Sequence, residues 1–358
     1  MNRTTMRPSH ISRILEREFT GTASAAHTPV MLWGPPGVGK SQIIAQIARN
    51  DGVPLIDVRL SQMEPTDLRG IPFRADDRVE WSVPALLPDA ARHGARGILF
   101  LDEITSAPPT VTAAAYQLIL DRRLGEYRVP DGWVIFAAGN RHGDRGVTYV
   151  MPTPLANRFT HYEVEPNLED WVAWAHAAAI DPRVIAFLRF RPDLLFELDL
   201  ARSPVAFPSP RSWEYVHRAL LKFGGHPELL LDALQACVGP AAGVEFKAFV
   251  DNMDELPDID AIARGESAQV PRGIDLQYGV AAALVRRAVQ VRDLPHAAVV
   301  YGHILKYARG FPQRELGVML VTDLHRSIGR PLITVPEFAE WAAGITDLML
   351  YDLNAQAH

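Results

Sequence analysis

The sequence predicts a mainly parallel α/β domain over residues 1–165, followed by an all-helical region to residue 358. Three observations carry this reading. Short apolar runs recur through the first half with helix-like stretches between them. One run ends in a glycine-rich turn that opens straight into a helix, and another ends in paired carboxylates. From about residue 166 the strand signals fade and helical stretches dominate, punctuated by Pro and Gly.

Taken in order, Ile11, Ile14, Leu15 and Phe19 put an apolar stripe on a short helix within residues 8–28, broken by Gly21 to Ala26. Val30–Trp33 reads as a buried strand, followed by the turn and a helix from Ser41 to Arg49. Leu55–Leu60, Gly97–Leu101, Trp133–Ala138 and Tyr162–Val164 are further strands. Helices are expected at 168–179, 183–189, 212–223, 228–237 and 244–250. Residues 251–275, broken by Asn252, Pro257, Gly265 and Pro271, read as a linker or long loop. Two or three more helices follow, including 276–291 and 336–351. Tyr116, Leu120 and Leu124 have the spacing of a core face, and Trp171 and Trp174 that of helix packing. Arg122-Arg123 and Arg286-Arg287 read as solvated helix faces.

Composition narrows the function classes. With 48% hydrophobic and 22% charged residues over 358 positions, the chain can bury a core without disulfides. A net charge of −6 argues against a protein that grips nucleic acid with its whole surface, though a local basic groove stays open. The single cysteine, Cys237, excludes an internal disulfide and a cysteine-based zinc site, which fits a reducing compartment. Met1 to His10 has no apolar segment of a secretory signal, and no apolar run is long enough to span a membrane, so a cytoplasmic protein is expected. None of the twelve histidines forms H-E-x-x-H, and there is no G-x-S-x-G elbow.

The strongest signal is Gly34-Pro35-Pro36-Gly37-Val38-Gly39-Lys40-Ser41, a full match to G-x-x-x-x-G-K-[ST] between a strand and a helix. Glycines let backbone N–H groups turn inward around phosphate oxygens, and the helix N-terminus adds its positive dipole end. Lys40 would neutralise β- and γ-phosphate charge, Ser41 would ligate Mg²⁺, and Gln42 follows in the first helical turn as a further nucleotide contact. Downstream, the strand Gly97–Leu101 ends in Asp102-Glu103. Asp102 suits the Mg²⁺ shell, and Glu103 suits alignment or deprotonation of an attacking water. Two carboxylates rather than one favour hydrolysis over transfer to another substrate.

At this point a family resemblance emerges. Leu101-Asp102-Glu103-Ile104-Thr105-Ser106-Ala107-Pro108-Pro109 resembles the DEINRAPP segment of MoxR-type AAA+ ATPases. Glu64–Gly70 looks like that family's P-x-D-L-x-G lead into an insertion in the second helix. Phe136–Asn140 looks like a sensor 1 strand, Leu155–Phe159 like the L-x-x-R-F arginine-finger segment, and Ser209–Ser212 like the sensor 2 of a lid helix. The order and spacing agree: 62 residues from Lys40 to Asp102, 38 from there to Asn140 and 18 more to Arg158. The resemblance covers about residues 10–225.

The resemblance implies a AAA+ P-loop NTPase core at 1–165, with a helix-2 insert at about 61–90 and a hairpin at about 125–132. It implies a helical lid at 166–250 and a C-terminal helical extension of the lid at 251–358. It implies ATP and Mg²⁺ as ligands, Asn140 on the lytic water or γ-phosphate, Arg158 reaching a neighbouring subunit's γ-phosphate, and Arg211 sensing nucleotide from the lid. Arg141 and Arg145 compete with Arg158 for the trans role, and residues 20–30 are expected to help hold the base. The working form would be a ring of identical subunits, most often a hexamer, acting on a protein client with a von Willebrand factor A-domain partner. A nucleic-acid-dependent NTPase motor and a magnesium-chelatase-like motor subunit are the alternatives. A ring that binds nucleotide without turnover is disfavoured by Glu103, Asn140 and Arg158. One departure stands out: Thr105 and Ser106 replace the family's Asn and Arg, so no inter-subunit role of that arginine carries over.

Overall fold

A computed structural model describes residues 4–21, 27–141, 144, 148–199 and 205–344. The chain divides into two compact units whose boundary falls between Asn167 and Leu168, with Asp199 counted in the first.

The first unit runs β1 (Thr4–Met6), α1 (Pro8–Gly21), β2 (Val30–Trp33), α2 (Lys40–Asn50), β3 (Leu55–Arg59), α3 (Pro65–Arg69), β4 (Pro72–Ala75), β5 (Arg78–Trp81), α4 (Ala90–His93), β6 (Arg96–Asp102), α5 (Pro109–Asp121), β7 (Arg123–Leu124), β8 (Tyr127–Arg128), β9 (Gly132–Gly139), α6 (Thr153–Ala156) and β10 (Thr160–Val164). Six strands form one parallel sheet in the order β1-β10-β2-β9-β6-β3. Its central strands are buried on both faces, which is why they read as unbroken apolar runs. Ile11, Leu15, Ile44 and Ile47 of α1 and α2 pack with Leu32, Phe100 and Phe136 on one face. Val111, Leu118 and Ile119 of α5 pack with Met31, Leu101 and Ile135 on the other. Because the strands are parallel, β2, β6 and β9 all end at the same edge of the sheet.

The insert folds as α3 and the antiparallel hairpin β4–β5, with Phe73, Val79 and Trp81 exposed on it. A second antiparallel pair, β7–β8, turns at Gly125, and Gly132 already begins β9. Three features differ from the sequence expectations. β1 was not anticipated; its three residues gain their place by main-chain pairing with β10. Arg122 is not on a solvated face: it ends α5 in the left-handed region and donates to Pro130 O at 2.8 Å and Trp133 O at 2.6 Å. His27 also acts as a sheet element, its Nε2 accepting the Ile135 N–H at 2.8 Å just before β2 begins.

The second unit is helical: α7 (Leu168–Ala177), α8 (Pro182–Phe190), α9 (Pro210–Phe223), α10 (Pro227–Val238), α11 (Pro240–Asn252), α12 (Ile259–Ala263), α13 (Ile274–Gln290), α14 (Ala297–Ala308), α15 (Arg314–Ile328), α16 (Arg330–Ile333) and α17 (Pro336–Ala343). One apolar cluster is centred on Phe187, Trp213, Phe246 and Phe249, a second on Leu284, Tyr301, Leu320 and Trp341. α13 supplies Ala282 to the first and Leu284 to the second. Trp171 is buried in the first cluster, with Trp174 packed against it. Residues 251–275, expected as a loop, contain α12, whose Ile262 and Ala263 are core residues. Arg287, expected on a solvated face, is ion-paired with Asp260. The end of the helix expected at 336–351 lies outside the described residues past 344. Among the described residues no helix is long and apolar enough to cross a membrane.

Candidate functional site

The glycine turn sits where β2 meets α2. Gly39 caps α2 with φ +102°, a backbone that L side chains rarely adopt. Gly34 lies so close to β10 that a Cβ there would stand 2.8 Å from Val164 O. Val38 points into the apolar layer with Ile43 and Ile44, which anchors the turn from beneath. Pro36 and Gly37 occupy the turn itself, and Gln42 is exposed on the first turn of α2.

Lys40 is buried, and its Nζ donates to Gly34 O at 2.7 Å, Pro35 O at 3.1 Å and Asn140 Oδ1 at 3.1 Å. An ammonium taken out of water requires such acceptors. Ser41 Oγ donates to Asp102 Oδ2 at 2.7 Å, and Asp102 Oδ1 accepts the Glu103 N–H at 2.8 Å. The ends of β2, β6 and β9 therefore converge on one cluster: Lys40, Ser41, Asp102 and Asn140.

Glu103 has left-handed backbone, φ 56°, uncommon for a residue with a Cβ and a mark of functional strain. Its carboxylate accepts the hydroxyl of Ser61, a residue just beyond β3 that sequence reasoning did not single out. Asp57 on β3 is pushed above its ordinary value by burial first and then by the charge of Asp102. Thr105, noted in the sequence only as a departure from the family segment, has a role that sequence reasoning missed. Its buried Oγ1 accepts the Asn140 N–H at 3.1 Å, and it comes so close to Gly139 that a Cβ there would stand 2.7 Å away. The residue that departs from the family pattern thus holds the end of β9.

Arg141 is engaged within its own chain. Its guanidinium donates to Asp144 Oδ1 at 2.8 Å and to Glu163 Oε1 at 2.8 Å. Arg158, between α6 and β10, is exposed. Arg145, His142 and residues 22–26 of the loop expected to hold the base lie outside the described residues. Arg211 is exposed in the first turn of α9 in the second unit, behind a capping box of Ser209 and Ser212.

A buried lysine behind a glycine turn, a helix-start hydroxyl and a strand-end carboxylate on a parallel sheet define a P-loop nucleotide-binding domain. Residues 29–159 match the AAA domain family, dynein-related subfamily. Over 151 residues the chain is 35% identical to Protein NorQ of Paracoccus denitrificans, covering 40% of this chain and 54% of NorQ. Over 110 residues it is 36% identical to Protein CbbQ of Hydrogenophilus thermoluteolus, covering 30% of this chain and 40% of CbbQ. Over 145 residues it is 31% identical to midasin of Giardia intestinalis, covering 38% of this chain and 3% of midasin. The chain thus spans about half, or less, of the curated relatives it matches. These relatives agree with the MoxR-type resemblance of the motifs, and the AAA domain implies nucleotide binding.

Proposed function

We propose that this protein is a MoxR-type AAA+ ATPase that hydrolyses ATP at the subunit interfaces of a ring of its own copies and uses the cycle to remodel or activate a protein client. The observation that carries the reading is the convergence of Lys40, Ser41, Asp102 and Asn140 at one sheet edge, with Glu103 beside them. Ser41 Oγ and the Asp102 carboxylate are hard oxygen ligands 2.7 Å apart, a donor set that fits Mg²⁺. When bound, the ion neutralises charge on the β- and γ-phosphates.

Lys40 exchanges its carbonyl and amide partners for phosphate oxygens, with the Gly34–Gly39 turn presenting N–H groups to the rest. Glu103 accepts a proton from the attacking water, and Asn140 orients that water or the γ-phosphate. Arg141 is engaged by Asp144 and Glu163 and Arg145 lies outside the described residues; exposed Arg158 is the residue we assign to a neighbouring subunit. Arg211 answers the nucleotide from the lid at 166–250, with 251–358 as its C-terminal extension. Exposed Phe73, Val79 and Trp81 on the insert hairpin are the surface for the client. A hexamer and a von Willebrand factor A-domain partner complete the reading by family likeness.

The test is ATP turnover against protein concentration for wild type and Arg158→Ala, with sizing of the same samples. Specific activity should climb with assembly. Arg158→Ala should lose about 10³-fold in kcat while still binding nucleotide. Turnover that is flat with concentration and indifferent to Arg158 would refute the shared site.

A further inference from the structure

β10 grips the candidate site at three points. Val164 O lies against Gly34, and Glu163 holds Arg141, the chain neighbour of Asn140. The third grip is His161. Its Nδ1 accepts the Trp33 indole N–H at 2.9 Å, and its Nε2 lies 2.7 Å from Ala156 O. An indole nitrogen only donates and a carbonyl only accepts, so Nδ1 serves as the acceptor and Nε2 as the donor in this pairing. The imidazole is stacked on Trp33, ring centroids 6.0 Å apart, and meets Phe159 edge-on at 6.1 Å.

These partners have particular positions. Trp33 is the last residue of β2, directly before Gly34. Ala156 ends α6, two residues before Arg158, and its carbonyl also receives the Phe159 N–H at 3.2 Å. The turn that presents Arg158 is closed by its own backbone and then pinned, through one imidazole, to the strand that carries the phosphate loop. Arg158 itself is exposed and could swing freely if the turn beneath it were loose.

We infer that His161 is a positioning residue for the arginine offered in trans, fixing the α6–β10 turn to the end of β2 so that a subunit's phosphate loop and the guanidinium it lends its neighbour move as one piece. This rests on the reading that Arg158 acts in trans. His161 reaches no nucleotide; it acts through Arg158.

Subunit mixing tests it. Glu103→Gln subunits keep an intact finger turn but lack the hydrolytic carboxylate. His161→Ala subunits keep every nucleotide-facing residue but lose the pin. Alone, His161→Ala should lower kcat about 10–100-fold with ATP affinity unchanged, and Arg158→Ala/His161→Ala should be no slower than Arg158→Ala. Mixed equally with Glu103→Gln, His161→Ala should recover to about a quarter of wild-type turnover per subunit, the share of competent interfaces under random assembly. Arg158→Ala should recover in the same way. Recovery of Arg158→Ala without recovery of His161→Ala would overturn the positioning role and leave the trans reading standing. Failure of both in assembled rings would overturn the trans reading itself. If His161→Ala does not fold, Trp33→Phe carries the same test, since it keeps an aromatic ring while removing the donor to Nδ1 with the rest of the indole. It should show a smaller kcat loss that mixing repairs, and an unchanged kcat would overturn the proposal.

Discussion

Removing the carboxylate of Asp323 should open the second unit. Asp323 on α15 accepts two bonds from Arg189 of α8, both at 2.7 Å, and the two side chains are only 5% and 7% exposed. Glu169 of α7 takes the other end of the guanidinium at 3.0 Å and Arg326 at 2.6 Å, and His176 Nε2 lies 3.5 Å from Asp323. Exposed pairs contribute at most about 1 kcal/mol, but a buried pair broken on one side leaves an uncompensated charge that costs about 3–5 kcal/mol. Asp323→Ala strands Arg189, for which exposed Glu169 compensates only in part, so a loss of about 3 kcal/mol is expected. Asp323→Leu with Arg189→Met removes both charges and should recover most of it. Urea unfolding with hydrogen exchange resolved at α8 and α15 reads both effects. A loss below about 1 kcal/mol in Asp323→Ala, or a double variant no better than the single, would show that the cluster is not the buried lock described. Burial alone would raise the Asp323 carboxyl pKa, but His176 and the arginine charges outweigh it and hold it below its ordinary value. Its contribution is therefore present above about pH 4 and is lost as pH falls through the depressed value.

His27 makes a second pH-dependent prediction, of the same sign but in a higher window. Burial first, then the nearby Arg122 charge, lowers its pKa from 6.5 to about 4, against a smaller raising effect of the Ile135 main chain. Between those values the unfolded chain binds a proton that the folded chain refuses, so stability falls as pH drops through that window, by about 3 kcal/mol at full extent. His27→Gln keeps an acceptor and cannot titrate, so its urea midpoint should shift less between pH 7 and pH 4.5; equal shifts would remove His27 as the cause. Gly139→Ala would set a Cβ 2.7 Å from Thr105, a stiff β-branched neighbour, and 2.8 Å from Met31 Cε. It should destabilise by about 1–3 kcal/mol and lower ATP turnover at least tenfold by displacing Thr105 from Asn140. Thr105→Ser in that background should restore part of the activity, and a fully active Gly139→Ala would exclude the Thr105 contact as a support of the site.

Much of the first unit was legible because its signals are local. Val30–Trp33, Gly97–Leu101 and Trp133–Ala138 are apolar runs that a two-sided parallel sheet demands, and all three lie within observed strands. β1 was illegible because three polar-flanked residues pair mainly through main chain, with Met6 as their one apolar side chain packed on the core. Arg122 misled because adjacent arginines usually face water; here the end of α5 turns one of them back onto two carbonyls. Ser61 had no signal at all, and Thr105 was visible only as a departure from the family segment with no role attached, since a lone hydroxyl is too common to stand out until the fold sets it against Glu103 or Asn140.

The phosphate-loop chemistry was readable without a structure because one turn of contiguous residues, Gly34 to Ser41, carries the glycines, the lysine and the hydroxyl together. Which partners complete it was decided only in three dimensions. Ser41 meets Asp102 across 61 residues, and Lys40 meets Asn140 across 100. Arg141 is drawn onto Asp144 and Glu163 while Arg158 stays exposed, though both are strand-flanking arginines in the sequence. The reason is the strand order. Placing β9 between β2 and β6, all parallel, brings three distant strand ends to one edge, and no local pattern encodes which strand lies next to which.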